Sequence, residues 1–341
     1  MHTLAKTAYF QPSNAQFLKN FTVFGKNICK CQKKVLPLLQ NTSHGLMRKI
    51  AFIVNPISGN KKMQEQKRCL PDLVATVLDS TQWSAEVVHT EYAGHATELA
   101  RNYAQAGYDA VVAVGGDGTV NEVARGLRDT RTAMGIIPMG SGNGLARHLR
   151  IPMDLQQAIQ LLNHSRVLRI DYGLADEHLF VSTCGTGFDA EVADGFAGSA
   201  KRGLMTYLRT ILRLVFTYKA QTYRLTYGER DETYRAFLIT FANSNQWGNN
   251  ALIAPQADLQ DGKMDVMIMS PYALWGSLPL AAKLFAGTID RSRLMHTLRT
   301  DSLTLRREHA DAFHIDGDPT AMGQDIHIRI VKGGLSVLVA E

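Results

Sequence analysis

Cysteine is scarce in this chain of 341 residues: Cys29, Cys31, Cys69 and Cys184 are all there is. Their spacing fits neither a zinc site nor a disulfide framework, which points to a reduced compartment. No apolar run approaches the length of about 18 residues that a spanning helix needs. The short apolar stretch and cleavage site of a secretory signal are also missing. A cytoplasmic protein is therefore expected, with peripheral contact at the inner membrane surface left open. Acidic residues are absent from residues 1–46, where Lys6, Lys19, Lys26, Lys30, Lys33 and Lys34 stand. These six account for the net charge of +6, because the rest of the chain balances at 31 basic against 31 acidic residues. Residues 1–46 read as a basic, poorly ordered extension upstream of a start at Met47. The alternative is an arm that touches an anionic membrane through its lysines and Phe10, Phe17, Phe21 and Phe24. With the excess confined to that tail, no nucleic-acid partner is expected. The chain also lacks a GxxxxGK[ST] loop and a GxGxxG turn, so any nucleotide site is of another kind.

What is present is an ordinary globular composition, 45% hydrophobic and 20% charged, with its signals in order. Apolar runs at 50–54, 86–90, 110–114 and 135–138 read as strands. Helical spacing separates them, for instance Ala96, Leu99, Ala100 and Tyr103, then Val120, Val123, Ala124 and Leu127. That alternation predicts a parallel sheet with helices on its faces over residues 47–150. From 151 to 341 the pattern changes. One helix (155–162) precedes strand-like runs at 167–174, 178–184, 222–228, 234–242, 263–269, 301–306, 312–316, 325–331 and 335–339. Helical stretches interrupt at 203–218 and 272–286. Many short strands predict a largely antiparallel sandwich, its final strands returning towards the interdomain region. The fold class is thus α/β plus all-β.

Three glycine-bearing turns each follow a strand of the first domain: Asn55-Pro56-Ile57-Ser58-Gly59, Gly115-Gly116-Asp117-Gly118-Thr119 and Gly140-Ser141-Gly142-Asn143-Gly144. In an open parallel sheet, ligands bind beyond the carboxyl ends of the strands. Glycine lets the backbone approach phosphate oxygens, and the following helix offers free N–H groups. One such turn is weak evidence. Three at the same sheet edge point to a nucleotide-phosphate site.

These residues resemble a known family. Gly115 to Glu122 is similar to the GGDGTxNE signature of diacylglycerol and sphingosine kinases, Asn55–Gly59 to their NPxSG loop, and Gly140–Asn143 to their G[ST]xN turn. Gly185-Thr186-Gly187-Phe188-Asp189 and Asp316-Gly317-Asp318 fall where that family has G-x-G-F-D and D-G-E. The resemblance spans about residues 49–340. It implies an NAD-kinase-like α/β nucleotide domain, a β-sandwich-like lipid-binding domain, and an active site between them. It further implies that Asn55, Pro56, Ser58, Gly59, Thr90, Gly116, Asp117, Gly118, Thr119, Val120, Asn121, Glu122 and Ser141 bind ATP. The segment 258–263 resembles a loop that holds structural Mg2+ in bacterial members, with Asp258, Asp261 and Lys263 as the ligand positions. A tight turn at Gly262 is the plain alternative.

The implied reaction is transfer of the γ-phosphoryl group of ATP, with Mg2+, to the hydroxyl of a membrane-derived lipid, diacylglycerol first. Such transfer needs an aligned nucleophile, neutralised charge and a carboxylate to take the hydroxyl proton. Asp117, Asp316 and Asp318 are the candidate catalytic carboxylates, with the base assigned to the Asp316/Asp318 pair and Asp318 preferred. Asp117 is assigned to orienting the nucleotide or magnesium. Asp318 stands where the family usually has Glu, which shortens its reach by about 1.5 Å. Asp189 is the candidate for the substrate head group. The helical stretch 203–218, apolar on one face and basic on another, suits a lipid interface. His178, His314 and His327 read as structural. The alternatives are a sphingoid-base kinase, an NAD kinase-like enzyme, and a nucleotide- or lipid-binding regulator without catalysis. A homodimer is compatible with all of these.

Overall fold

The first apolar run becomes strand β1 (Arg48–Val54), whose last five residues are buried. It lies at the centre of a parallel group. β2 (Trp83–His89) and β3 (Ala110–Gly115) flank it, and β4 (Ala133–Pro138) pairs with β3. Strands buried on both faces read as unbroken apolar runs, which is why β3 and β4 show no alternation. The computed structural model describes residues 47–197, 214, 217–272 and 276–341. The extension 1–46 and most of the helical stretch 203–218 lie outside the described residues.

The connections are helical. α1 (Lys61–Arg68) and α2 (Leu70–Val77) follow β1, and α3 (His95–Gln105) follows β2. α4 (Asp117–Leu127) follows β3, burying Val120, Val123, Ala124 and Leu127 in the core. This is the i, i+3, i+4, i+7 stripe of an amphipathic helix. After β4 come the short α5 (Gly144–His148) and α6 (Leu155–Asn163).

The second half is built from antiparallel strands. β5 (Ser165–Ala175) turns into β6 (His178–Phe180), and β7 (Thr183–Gly187) leads into α7 (Phe188–Ala197). β8 (Gln221–Tyr227) and β9 (Arg230–Ala236) form a hairpin. β10 (Leu238–Ala242), β11 (Met264–Met269) and β12 (Met295–Thr300) form a meander, with the helix Ser277–Phe285 inserted before β12. The chain ends through β13 (Ser302–Arg307), β14 (Phe313–Ile315), β15 (Asp318–Pro319) and the long β16 (Asp325–Ala340).

Two sheets result, and they do not respect a boundary at residue 150. β16 pairs with β13 over its first half and runs parallel to β4 over its second, shifting register between Val331 and Leu335. A ten-stranded sheet therefore runs β2-β1-β3-β4-β16-β13-β8-β9, with β5 and β6 beside β16. The other sheet is β12-β11-β10-β7-β14-β15. Between them lies a sandwich core in which Cys184, Ile239, Phe241, Val266 and Phe313 meet Tyr223, Leu225, Leu303, Leu305 and Ile328. The outer face of the six-stranded sheet packs Leu238, Met267 and Met269 against Leu280 and Leu284 of the helix Ser277–Phe285.

Candidate active site

All three glycine turns lie beyond the carboxyl ends of parallel strands: Asn55–Gly59 after β1, Gly116 at the start of α4, and Gly140–Gly144 after β4. The last two are pressed together. A Cβ on Gly140 would stand 2.4 Å from the Cα of Gly116, so only glycine allows this approach. Asn143, at φ 54°, locks the second turn on itself, its Oδ1 accepting from Gly140 N–H (3.0 Å) and its Nδ2 donating to Gly140 C=O (2.8 Å).

Asp117 fastens the two turns. One carboxylate oxygen accepts from Asn143 N–H (2.8 Å) and the other from Gly144 N–H (2.7 Å), at the start of α5. Burial raises its pKa to about 6, with the Asp316 charge adding to the rise and those two N–H groups opposing it. Its carboxylate is thus committed to the frame of the site.

The Asn55 loop is held from below by Lys67, a residue that helix periodicity gives no reason to single out. Lys67 is 2% exposed. Its Nζ donates to Asn55 C=O (2.6 Å), Ser58 C=O (2.7 Å) and Ser58 Oγ (2.5 Å). Burial lowers its pKa to about 8. Asn55 in turn donates from Nδ2 to Thr119 Oγ1 (3.2 Å), which leaves the Thr119 hydroxyl proton to point elsewhere. Thr90 N–H donates to Val54 C=O beside this loop (2.9 Å), and Ser141 is exposed.

Three residues expected at the nucleotide are engaged elsewhere. Val120 is in the core because its place on α4 faces the sheet. Glu122 accepts from Gly94 N–H (3.0 Å) and Ala96 N–H (3.1 Å), capping α3. Asn121 donates to Leu179 C=O and to Asp316 Oδ2, both at 2.8 Å. A motif read along the chain places neighbours together, but a helix turns them to different faces.

Asp316 is the counterpart of that tie. Buried and at φ 49°, its carboxylate accepts from Asn121 Nδ2 and from the N–H groups of Val181 (2.9 Å), Ser182 (2.8 Å) and Thr183 (3.0 Å). Burial raises its pKa while these four bonds oppose the rise. With its lone pairs engaged, Asp316 is poorly placed to take a proton. Asp318 is exposed. A Cβ on Gly118 would meet its Oδ2 at 2.9 Å, which sets this carboxylate over the first turn of α4.

Asp189 is likewise committed inward. Its Oδ2 accepts from Thr240 Oγ1 (2.8 Å) and lies 3.2 Å from His314 Nε2, while His314 Nδ1 accepts from Gly317 N–H (3.3 Å). The buried His314 therefore links Asp189 to the Asp316–Asp318 turn. The 244–250 loop closes the floor, with Asn249 N–H and Arg147 Nε both donating to Gly142 C=O (3.1 Å each) and Asn245 N–H to His148 Nδ1 (2.9 Å). Sequence reading missed this loop, because polar residues after a strand look like any turn.

The 258–263 segment is a tight turn. Gly262 sits at φ 77°, Asp258 Oδ1 accepts from Gln260 N–H, and Asp261 Oδ1 accepts from Lys263 N–H (2.9 Å each). The other Asp261 oxygen is 3.5 Å from Arg299 Nη1. Buried Asp171 accepts from Gly262 N–H and Gly333 N–H (2.6 Å each), fixing the turn to β16. Among the described residues no group of three His, Cys, Asp or Glu side chains gathers. Asp258 and Asp261 are both engaged within the turn, and Asp261 also with Arg299, so a Mg2+ here would draw on backbone oxygens beside Asp261.

Two lobes share a sheet, with glycine turns on one and an acidic turn on the other. Residues 49–175 match the family described as the diacylglycerol kinase catalytic domain, and residues 182–339 match the YegS C-terminal NAD kinase beta sandwich-like domain. "Diacylglycerol kinase" of Staphylococcus saprophyticus is 30% identical over 65% of this chain and 73% of its own length. "Probable lipid kinase YegS-like" of Chromohalobacter salexigens is 26% identical over 73% and 81%. A crystal structure described as a diacylglycerol kinase from Bacillus anthracis superposes with a TM-score of 0.65 at 18% identity, covering 86% of this chain and 98% of that one. The chain belongs to the diacylglycerol kinase catalytic-domain family, and it is a lipid kinase.

Proposed function

We propose that this enzyme transfers the γ-phosphoryl group of ATP, bound with Mg2+, to the hydroxyl of a lipid, with diacylglycerol as the acceptor and Asp318 as the base. The observation that carries the reading is the exposed Asp318 carboxylate facing Gly118 at the start of α4. The N-terminus of α4 offers backbone N–H groups and the positive end of its dipole to phosphate oxygens. The close Gly116–Gly140 approach favours backbone contact with phosphate, and the exposed Ser141 lies on the second turn, while Thr119 is buried behind the first and bonded to Asn55. Asn55, Pro56, Ser58, Gly59 and Thr90 border the same edge.

Mg2+ bound with the nucleotide would supply charge neutralisation at the transferring oxygens. The chain's own residues do the rest. Asp117, held by Asn143 and Gly144, fixes the distance between the two phosphate turns. Asp316, through Asn121, fixes the acidic turn against α4. Asp318 then accepts the proton of the lipid hydroxyl as its oxygen attacks the γ-phosphorus, and ADP leaves. Asp189 and His314 act through Gly317 to position that turn.

Labelled ATP with Mg2+, offered with diacylglycerol, a sphingoid base, phosphatidylglycerol or NAD, tests the reading. Label in phosphatidic acid is expected. Label on the sphingoid base alone would replace the acceptor, and label on NAD alone would overturn the lipid reading.

A further inference from the structure

The helix Ser277–Phe285 is apolar on two faces, and the described residues cover one of them. Leu280 and Leu284 pack on the outer face of the six-stranded sheet. On the opposite side Leu278, Ala281, Ala282 and Phe285 follow one another at i, i+3, i+4 and i+7, and all four are exposed. Leu278 is 83% exposed and Phe285 60%. A helix apolar all round is normally buried, so this stripe calls for a covering surface.

The surroundings identify its chemistry. A groove of about 380 Å³ runs beside the helix, lined by Pro279, Leu280, Lys283, Arg291, Arg293 and Leu294. Three cations thus rim an apolar floor. The acidic neighbour, Asp290, has its Oδ1 buried. Apolar side chains projecting beside a basic notch match a surface whose interior is hydrocarbon and whose rim is phosphate. A protein partner would need acidic groups to meet the notch and apolar groups to meet the stripe at fixed positions, whereas an anionic bilayer presents both everywhere.

We propose that the helix Ser277–Phe285 is the membrane-docking element of this enzyme, Leu278 and Phe285 entering the acyl boundary of an anionic bilayer while Lys283, Arg291 and Arg293 meet lipid phosphates. The inference rests on the lipid-kinase reading for its purpose but not for its geometry. The helix also reaches the phosphate turns through one loop: Leu252 N–H donates to Leu284 C=O (3.1 Å), and Asn249 N–H of the same loop donates to Gly142 C=O (3.1 Å). The docking helix and the second glycine turn are thus tied to the same loop.

The test uses the full chain, with residues 1–46 retained. Its co-sedimentation with vesicles of phosphatidylcholine, with and without phosphatidylglycerol, is compared with that of Leu278→Asp/Phe285→Asp and of Lys283→Glu/Arg291→Glu/Arg293→Glu. Each variant is also assayed with a short-chain diacylglycerol dispersed in water and with a long-chain one in vesicles. Thermal melts confirm that both variants fold. Both should bind anionic vesicles more than about tenfold more weakly, lose turnover on vesicles, and keep turnover on the dispersed substrate. Vesicle binding equal to the parent's would overturn the proposal, as would a parent that does not bind anionic vesicles. A parent dimer that the Asp variant splits, with vesicle binding unchanged, would assign the stripe to a second copy instead. Vesicle binding that depends on these residues in a protein that phosphorylates no lipid would uphold the docking surface and remove the acceptor reading.

Discussion

The half-buried Asp117 and the buried Lys67 hold the glycine turns, and they titrate on opposite sides of neutrality. Asp117 is raised to about 6, chiefly by burial. Lys67 is lowered to about 8, also by burial. Below about pH 6 Asp117 gains a proton and one of its two carboxylate oxygens becomes a weaker acceptor for the backbone N–H groups, so phosphoryl transfer should fall. Above about pH 8 Lys67 loses a proton and one of its three donors, so transfer should fall again. Stability moves the other way. An unfolded aspartate is already ionised between about pH 4 and 6 while Asp117 keeps its proton, so this residue favours the fold increasingly as pH drops through that window. An unfolded lysine stays charged to about 10.4, so the penalty for burying Lys67 charged lifts as pH rises past 8. A pH–kcat profile and a parallel set of urea melts should therefore diverge at both limbs, and Lys67→Arg should move the alkaline limb of activity upward. Coincident limbs would show that activity simply follows folding. Of these residues, Asp117 is marked by its motif. Lys67 is not, because in Lys61–Arg68 a basic run looks like a solvated face, and only the loop it carries reveals that one member is buried.

Among elements, α4 does two jobs: it seals the parallel sheet with Val120, Val123 and Leu127 and offers its first turn to the cleft. Gly118 lies on that first turn beneath Asp318. Gly118→Ala would place a methyl group 2.9 Å from the Asp318 carboxylate, the far end of a side chain that can swing aside. The helix should gain up to about 1 kcal/mol from losing a glycine. The expected result is an equal or higher urea midpoint with a kcat reduced by tenfold or more, since the base is displaced, an order of magnitude that small misplacements commonly cost. The parallel elements were legible because each combined an apolar run with a glycine stop. The antiparallel ones were less so. The run 234–242 is two strands, β9 and β10, that part at Phe237 into different sheets. β12 alternates Met295, Leu298 and polar residues too weakly to stand out. β16 reads as two strands because Gly333 and Gly334 interrupt its pattern, yet the chain continues through a register shift. Pairing between distant strands decides such cases, and local pattern does not carry it.

Across the whole molecule, the lobes are joined by β16 and by several hydrogen bonds, among them the buried one from Asn121 to Asp316. Asp316→Ala would leave the N–H groups of Val181, Ser182 and Thr183 and the Asn121 amide without their acceptor. A loss of ~3 kcal/mol or more in chemical denaturation is expected. A change below about 0.5 kcal/mol, the usual size of a surface effect, would show that water replaces the carboxylate fully. Asp316 and Asp318 sit two residues apart in one motif, and sequence alone could not divide their work. Their separation depends on the left-handed backbone at Asp316, which turns its side chain into the protein and leaves that of Asp318 exposed. That division is the central claim, and one measurement addresses it directly: nucleotide affinity and kcat with diacylglycerol for the parent, Asp318→Asn and Asp318→Glu. Asn should bind ATP–Mg2+ as the parent does and lose about 10²–10⁴ in kcat, while Glu, restoring a longer carboxylate, should match or exceed the parent. Turnover by Asp318→Asn within a few fold of the parent would contradict the assignment of the base.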